Sequence, residues 1–287
     1  FPRPVRPPQP SLASQVLRAA LNWLSSWVPF LSFATPNLVS ATAAPKESHQ
    51  AAKVRRAREN PSLEAKRREN MVIAARLRGT AGAAAKGGSQ EFVVATYHMP
   101  CVYWAPKVMT IHTSLLFQFV SDFAKGHPHV VAGDFNFSPS DSLYAFVRTS
   151  FMDRKDPAFP EPFDNTDVWD VSMPYGGYRS AYHEADGIEP EFTNYAKVKD
   201  EPEFIDTLDY LFFHAPGGYA MKVVDTLKLP ALKSVQGPLP TVHEPSDHIM
   251  IAATFDLKDS ASTAGSSSSS FSTTAVDGDV AGGNLAK

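Results

Sequence analysis

The stretch VVAGDFNFSPSDSLY, from Val130 to Tyr144, places polar side chains directly after an apolar run. Asp134 and Asn136 stand two residues apart, so in an extended backbone both point to the same side of the chain. Gly133 before them permits a tight turn. The pair therefore predicts either a phosphate and metal site at a strand end or an Asx-type turn capped by the asparagine.

Three other polar positions follow or interrupt apolar segments. His98 comes directly after the apolar run FVVATY, Asp209 is the only charge in TLDYLFF, and Asp247 and His248 precede IMIAATF. A carboxylate in an apolar strand must be paired, and an imidazole is a suitable partner because a carboxylate orients a histidine. The alternatives are a structural histidine, a buried salt bridge and a turn at SDH.

The periodicity of the chain predicts alternating strands and helices. Apolar residues recur at helical spacing over 107–124. The remaining apolar segments predict strands at 71–77, 92–97, 129–132, 204–213 and 249–255, and a helix starting in 140–147. This alternation is typical of a layered α/β domain.

Charge is unevenly distributed along the 287 residues. Residues 1–90 hold 14 Lys and Arg against four Asp and Glu, whereas 91–287 hold 13 against 26. The basic run 46–78 predicts either a solvated surface or attraction to nucleic acid. The acidic part is compatible with a hard divalent cation or with a solubilising surface. Cys101 is the only cysteine, which excludes an internal disulfide and fits a reducing compartment.

In chain order, the strand ending at His98, GDFN at 133–136, LDY at 208–210 and SDH at 246–248 resemble the endonuclease/exonuclease/phosphatase superfamily. The run GDFNFSPSDSLYAFV, with FTN at 192–194 upstream of LDY, resembles its deadenylase branch. That branch includes carbon-catabolite-repressor-type deadenylases, nocturnin, Angel and the 2′,5′-phosphodiesterase. The resemblance implies a four-layer α/β sandwich, with its first part missing, that hydrolyses phosphate esters with Mg²⁺, or with Mn²⁺ as the alternative.

The resemblance also implies catalytic roles. Asp134 would bind metal and deprotonate the attacking water, and Asn136 would hold a phosphate oxygen. Asp247 would bind metal or order its waters. His248, oriented by Asp209, would stabilise charge on the phosphoryl oxygens.

Three further contacts to substrate follow from the same resemblance. His98 would contact the same phosphate. Asn194 of FTN would contact the 3′-terminal adenine. Phe204 would stack on the base, as aromatic side chains do with unpaired bases; its alternative is a core aromatic at a strand start.

The implied activity is that of a 3′→5′ exoribonuclease acting on single-stranded RNA or poly(A), within an mRNA-decay complex. One alternative is a phosphatase or phosphodiesterase acting on a phosphorylated nucleotide. The other is an inactive pseudo-nuclease that binds RNA or a partner, because the family's Gln-Glu motif, which supplies a metal ligand, is not found before residue 69. The expected compartment is the cytoplasm, with organellar targeting by the apolar residues 11–35 as the alternative.

The sequence is expected to divide into three parts. Residues 1–68 are Pro-rich, then apolar, then basic, and are expected to be poorly ordered or an insertion. Residues 69–257 resemble the C-terminal portion of the catalytic domain, and 258–287 form a Ser/Gly-rich tail expected to be disordered. The apolar run 11–35 is interrupted by Arg18, Asn22 and Pro29, so it does not predict a transmembrane helix.

Overall fold

A computed structural model of the chain describes residues 47–79, 91–161, 171–197, 200 and 202–259. In these residues the α-helices are α1 His49–Glu59, α2 Pro61–Lys66, α3 Pro106–Ala124, α4 Ser142–Thr149 and α5 Ala181–Asp186. The strands are β1 Val72–Arg78, β2 Glu91–Tyr97, β3 His129–Asp134, β4 Arg179–Ser180, β5 Asn194–Ala196, β6 Phe204–Asp206, β7 Asp209–His214, β8 Tyr219–Thr226 and β9 Ala253–Asp259.

The centre of the molecule is a mixed five-stranded sheet in the order β1-β2-β3-β7-β4. β2 and β3 are parallel, and every other neighbouring pair is antiparallel. A parallel pair requires a long crossover, which α3 supplies between β2 and β3. The strands predicted at 71–77, 92–97 and 129–132 are therefore confirmed within two residues at each end.

Helices cover one face of this sheet. The buried side of α3, including Val108, Phe117 and Val120, packs on the inward residues of β2, β3 and β7. Phe117 lies at the centre of an aromatic cluster, with its ring centroid 4.4 Å from that of Tyr178 and 5.9 Å from that of Phe212. The helix predicted over 107–124 is confirmed, and it begins at Pro106, where proline at the first turn costs no hydrogen bond.

A second sheet, made of β8 and β9, covers part of the opposite face. Val130, Phe213 and Met221 form the buried centre of this contact. Between the two sheets lies an apolar cavity of about 400 Å³. Its lining residues are Phe92, Val94, Val130, Ala132, Leu211, Met221, Ala252, Ala253, Phe255 and Leu257. Helix, sheet and second sheet stack in layers, which confirms the predicted α/β sandwich.

The uncovered part of the same face is apolar. Val72 and Ala74 of β1 pack toward the helices, so the alternate residues Ile73 and Leu77 point the other way. These two side chains are 66% and 43% exposed. The solvent-facing side of β1 thus continues the apolar surface that the β8–β9 sheet covers elsewhere.

The structure corrects two of the predicted strands, because parts of these segments bond to a different neighbour than the rest. The segment 204–213 is not one strand, because β6 pairs with β5 and β7 pairs with β3. The strand predicted at 249–255 begins only at Ala253. Its first residues are used elsewhere: Ile249 N–H donates to the Thr193 carbonyl and Ala252 N–H to the Tyr182 hydroxyl.

The basic segment is ordered where the structure describes it. α1 and α2 pack beside α3, with the Lys53 ammonium and the Arg68 guanidinium over the Trp104 ring at 5.6 and 5.9 Å. Residues 47–68 belong to the segment expected to be poorly ordered or an insertion; the structure forms α1 and α2 there, and residues 1–46 lie outside the described part. Of the expected tail, Lys258 and Asp259 belong to β9, and 260–287 lie outside it.

No helix among the described residues is long and apolar enough to cross a membrane.

Candidate active site

Two carboxylates face each other where β3 ends and β7 begins. Asp134 is the last residue of β3 and pairs directly with Asp209, the first residue of β7. Both side chains are largely buried, at 14% and 15% exposure. Directly opposed residues of an antiparallel pair put their side chains on the same face. Here that face is the one on which the β8–β9 sheet packs, so the site lies at the edge of the gap between the sheets.

His248 completes the pair from a different segment. Its Nδ1 lies 2.8 Å from Asp209 Oδ2, and its Nε2 lies 3.8 Å from Asp134 Oδ2. Burial lowers the pKa of His248, but the hydrogen bond and charge of Asp209 outweigh this effect and raise it to about 9. The ring is therefore an imidazolium at neutral pH. In this structure the histidine that contacts Asp209 is thus His248.

The chain segment carrying His248 is held against β5. Asn194 and His248 form an isolated antiparallel bridge, and the Tyr195 N–H donates to the Asp247 carbonyl at 2.9 Å. These backbone bonds fix the position of the imidazole relative to Asp209. They also explain why the SDH segment is neither a free turn nor part of the last strand.

The surroundings of Asp134 raise the pKa of its carboxyl group. Burial raises its pKa, the Asp209 charge raises it further, and His248 lowers it, which leaves it at about 6. At neutral pH the group is ionised, yet it is more basic than an exposed aspartate. A carboxylate with these properties suits the acceptance of a proton from water.

Asn136 holds Asp134 from behind. It adopts a left-handed backbone conformation, with φ of 54°, and its N–H donates to Asp134 Oδ1 at 2.9 Å. Its amide nitrogen donates to the Met99 carbonyl at 2.9 Å and to Asp134 Oδ2 at 3.2 Å. Both amide hydrogens are used within the protein, so this arrangement gives Asn136 a positioning contact instead of the expected donation to a phosphate. The Asx-type contact and the active-site position occur together.

His98 projects from the loop after β2. Its Nε2 lies 3.4 Å from Asp134 Oδ2 and its side chain is 71% exposed. The Tyr97 carbonyl passes so close to Gly133 that a Cβ there would lie 1.9 Å from the oxygen. Glycine at 133 therefore permits the approach of β2 that brings His98 beside Asp134.

The remaining predicted residues are placed less directly. Asp247 is partly buried, and its backbone carbonyl accepts from the Asn194 amide at 3.2 Å. Asn194 is fully buried, and its Oδ1 has no partner among the described residues. Phe204 is partly buried opposite Ala196 at the start of β6. The structure thus brings His98, Asp134, Asp209 and His248 together, with Asn194 behind the His248 segment and Phe204 farther along β6.

Sequence reasoning missed two supporting residues. The Thr193 hydroxyl donates to Asp209 Oδ2 at 2.7 Å, on the same oxygen that His248 contacts. The Asn70 amide donates to the His98 carbonyl at 2.7 Å. Thr193 stands inside the FTN motif, and its position there was the available signal.

In the described part of the chain, no group of three or more His, Cys, Asp or Glu side chains is arranged to hold a metal ion. The carboxylates at the site are those of Asp134 and Asp209, and Asp247 lies next to His248 in the chain. Mg²⁺ in proteins is commonly held by one or two carboxylates, with water and substrate phosphate completing its shell. Carboxylate oxygens of this kind suit a hard divalent cation that keeps water in its shell, and they do not suit a metal that needs a closed protein cage.

Comparison with curated proteins identifies sequence relatives. The chain is 31% identical over 179 residues to carbon catabolite repressor protein 4 homolog 4 of Arabidopsis thaliana, covering 58% of this chain and 38% of that protein. It is 27% identical over 191 residues to nocturnin of Drosophila melanogaster, covering 65% and 28%. It is 29% identical over 180 residues to a probable CCR4-Not complex 3'-5'-exoribonuclease subunit of Enterocytozoon bieneusi, covering 58% and 33%.

The resemblance to carbon-catabolite-repressor and nocturnin proteins is thereby confirmed. The chain spans less than two fifths of the length of each of these three relatives. No family model matches. Among solved structures, the human nocturnin catalytic domain with bound sulfate aligns with a TM-score of 0.42 at 19% identity, covering 67% of this chain and 54% of that one.

Proposed function

We propose that this chain carries the hydrolytic centre of a metal-dependent phosphodiesterase, of the 3′→5′ exoribonuclease type that shortens poly(A). The observation that carries the proposal is the convergence of two carboxylates and an imidazolium, Asp134, Asp209 and His248, at one edge of the sheet. The sequence relatives support the choice of reaction, since one is described as a 3'-5'-exoribonuclease subunit.

In this proposal Asp134 is the general base. A water molecule attacks the phosphorus of the last phosphodiester and its proton passes to the Asp134 carboxylate. The bond from phosphorus to the 3′ oxygen of the remaining RNA breaks, that oxygen takes up a proton from solvent to become the new 3′-hydroxyl, and the phosphate leaves on the 5′ oxygen of the released nucleotide. The raised pKa of Asp134, about 6, favours this transfer while leaving the group ionised at neutral pH. Asn136 holds the carboxylate through its N–H and amide contacts.

The two histidines meet the charge of the phosphate. His248 is an imidazolium whose Nε2 faces Asp134, so it lies where negative charge grows on the phosphoryl oxygens. Asp209 fixes the orientation of this ring through Nδ1. His98 is exposed and beside Asp134, which leaves its ring accessible to the same phosphate.

Asp134 and Asp247 are the residues that would hold Mg²⁺, with Mn²⁺ as the alternative. When bound, such an ion lowers the pKa of water and neutralises phosphate charge.

For the substrate we propose single-stranded RNA ending in adenosine. Phe204 is the stacking residue in this proposal, because its ring is only partly buried. Asn194 is the residue proposed to read the adenine through its unpartnered Oδ1. By analogy with the relative named for the CCR4-Not complex, a decay assembly is the proposed partner, and the lone Cys101 fits a reducing compartment such as the cytoplasm.

One observation favours a second candidate. Asn194 is fully buried and its amide nitrogen donates to the Asp247 carbonyl, so only a buried oxygen, Oδ1, is left to contact an adenine. A hydrolase that does not read adenine, acting on a small phosphorylated nucleotide, would need no such contact. A catalytically inactive RNA-binding protein is the third outcome.

The test is hydrolysis by the purified 287-residue chain. We would incubate oligo(A), oligo(C), NADPH and 2′,5′-oligoadenylate with Mg²⁺, beside Asp134→Asn and an EDTA control. Shortening of oligo(A) from the 3′ end, lost in Asp134→Asn and in EDTA, supports the exoribonuclease. Turnover of the small nucleotides alone supports the second candidate. RNA binding in EDTA with no turnover of any substrate contradicts both enzymes.

A further inference from the structure

We propose that Thr193 is a positioning residue for the reaction, acting on His248 through Asp209. The inference rests on the proposed hydrolytic function. Thr193 lies between Phe192 and Asn194, is fully buried, and carries no charge that would make it a candidate from sequence.

The direction of the Thr193 hydroxyl proton is fixed by its surroundings. The hydroxyl oxygen accepts from the Leu208 N–H at 2.9 Å and from the Asp209 N–H at 3.0 Å. A hydroxyl has two acceptor positions and one proton, and backbone N–H groups cannot accept. With both acceptor positions filled, the proton has one remaining partner, Asp209 Oδ2 at 2.7 Å.

Asp209 Oδ2 consequently has two hydrogen-bonding partners. One is the Thr193 hydroxyl and the other is His248 Nδ1 at 2.8 Å. An ionised carboxylate oxygen can accept from both, and in that arrangement the proton of the His248 contact lies on Nδ1. The other ring nitrogen, Nε2, is then the one directed toward Asp134.

The backbone of Thr193 ties the same elements together. Its N–H donates to the Asp206 carbonyl at 3.0 Å, and its carbonyl accepts from the Ile249 N–H at 2.8 Å. Thr193 therefore contacts the segment before Asp209 and the segment after His248. Its side chain holds the Asp209 carboxylate in place. Its main chain holds the segments that carry Asp209 and His248 at a fixed separation.

A positioning role requires more than the loss of a buried hydrogen bond. Thr193→Val removes the hydroxyl at nearly constant shape, and Thr193→Ser restores it without the methyl group. Thr113→Val is the matched control, since Thr113 is also fully buried and, within the described residues, its hydroxyl bonds only the Met109 carbonyl of its own helix.

We expect Thr193→Val to lower kcat about 10- to 100-fold with little change in KM, the scale of losing a supporting hydrogen bond behind a functional side chain. Thr193→Ser should recover most of the rate, and Thr113→Val should keep it. In an Asp209→Asn background, Thr193→Val should change kcat less than about 2-fold, because the path through Asp209 is already broken. Equal losses in both backgrounds, or a loss confined to KM, would overturn the proposal.

Thr193→Val leaves the N–H groups of Leu208 and Asp209 without an acceptor, so its folding is checked by near-UV circular dichroism. If it is unfolded, Thr193→Cys replaces it, since a thiol keeps a weak donor and acceptor. The expected order of kcat is then Thr and Ser above Cys. A Cys variant as active as the wild type would contradict the proposal.

A readout independent of turnover separates this proposal from the proposed function. In ¹⁵N-labelled chain, the His248 Nδ1 proton should give a slowly exchanging downfield signal in the wild type, Thr193→Ser and Thr113→Val. It should broaden or disappear in the folded Thr193→Val or Thr193→Cys variant. If the wild type hydrolyses nothing but this pattern appears, the hydrolase proposal fails and the positioning contact stands. An unchanged signal in the folded variant would refute the positioning contact itself.

Discussion

Gly133 should tolerate no side chain, even though alanine adds only one methyl group. Its φ is 149°, and a Cβ at this position would lie 1.9 Å from the Tyr97 carbonyl oxygen and 3.0 Å from the carbonyl carbon. Ordinary contacts of a Cβ are longer than 3.0 Å, so the end of β2 would have to move by roughly 1 Å. We therefore expect Gly133→Ala to destabilise the fold and to displace His98 from Asp134.

The magnitude follows from two contributions. Placing a non-glycine residue at positive φ costs roughly 1–2 kcal/mol, and overpacking a close contact costs about 1–3 kcal/mol more. Gly126→Ala is the matched control, because Gly126 also has positive φ, 83°, but a methyl group there would have no neighbouring atom within 4 Å. Only the backbone contribution applies there, so its expected cost is about 1–2 kcal/mol.

Urea unfolding followed by far-UV circular dichroism measures both variants. The expected result is a loss of about 2–5 kcal/mol in the free energy of unfolding for Gly133→Ala, the sum of the backbone and overpacking costs, and a clearly smaller loss for Gly126→Ala. Equal losses would show that the contact with Tyr97 does not limit this position, and the account of how β2 approaches β3 would be wrong.

Three further perturbations test the core and its titration. Phe117→Ala should cost about 3–5 kcal/mol in urea unfolding, because the ring is fully buried among aromatic neighbours; a loss below about 1 kcal/mol would contradict its central place. Tyr210→Phe should cost about 1–2 kcal/mol, because the single proton of its buried hydroxyl is shared between the carbonyls of Phe137 and Thr207, and an unchanged unfolding midpoint would contradict this contact. Burial lowers the pKa of His214 to about 4, so between about pH 6.5 and 4 the unfolded chain binds a proton at this residue and the folded chain does not. The free energy of unfolding should therefore fall as the pH drops through this range. His214→Gln should make the dependence of that free energy on pH less steep between about pH 7 and 5.

The first half of the central sheet and its crossover helix were predictable from sequence. The apolar residues over 107–124 repeat at helical spacing, so this segment predicts an amphipathic helix and no other element. The break inside 204–213 was not predictable in this way. FIDTLDYLFF is continuously strand-like, and the chain divides there only because β5 and β3 lie on different sheets.

The missed strand β8 has a different cause. YAMKVVDT includes Lys222 and Asp225, and the ladder with β9 is irregular between Val223 and Asp225. A half-buried strand is marked in sequence by apolar and polar residues that alternate. A bulge inserts an extra residue, so this alternation is interrupted and the strand is not seen in the sequence. The β9 partner also lies far along the chain.

The charged residues of the candidate site were predictable from sequence. Asp209 needed a partner because an isolated buried carboxylate is costly; an imidazole was the predicted kind of partner, and the family resemblance pointed to His248. The direction of the Asn136 amide and the role of Thr193 were not readable, because uncharged hydrogen-bonding groups are satisfied in many ways. Their partners, Met99 and Leu208 among them, depend on the packing of the whole sheet.

The opposition of Asp134 and Asp209 across β3 and β7 also bears on how the chain folds. α3 forms from contacts between near neighbours, whereas this ladder closes a long loop and the His248 segment must then dock on β5. Long loops close slowly because their entropy is lost before the new contacts form. During refolding, helical signal should therefore recover before the imidazole of His248 reaches its final environment, which makes that ring a reporter of the last step of folding.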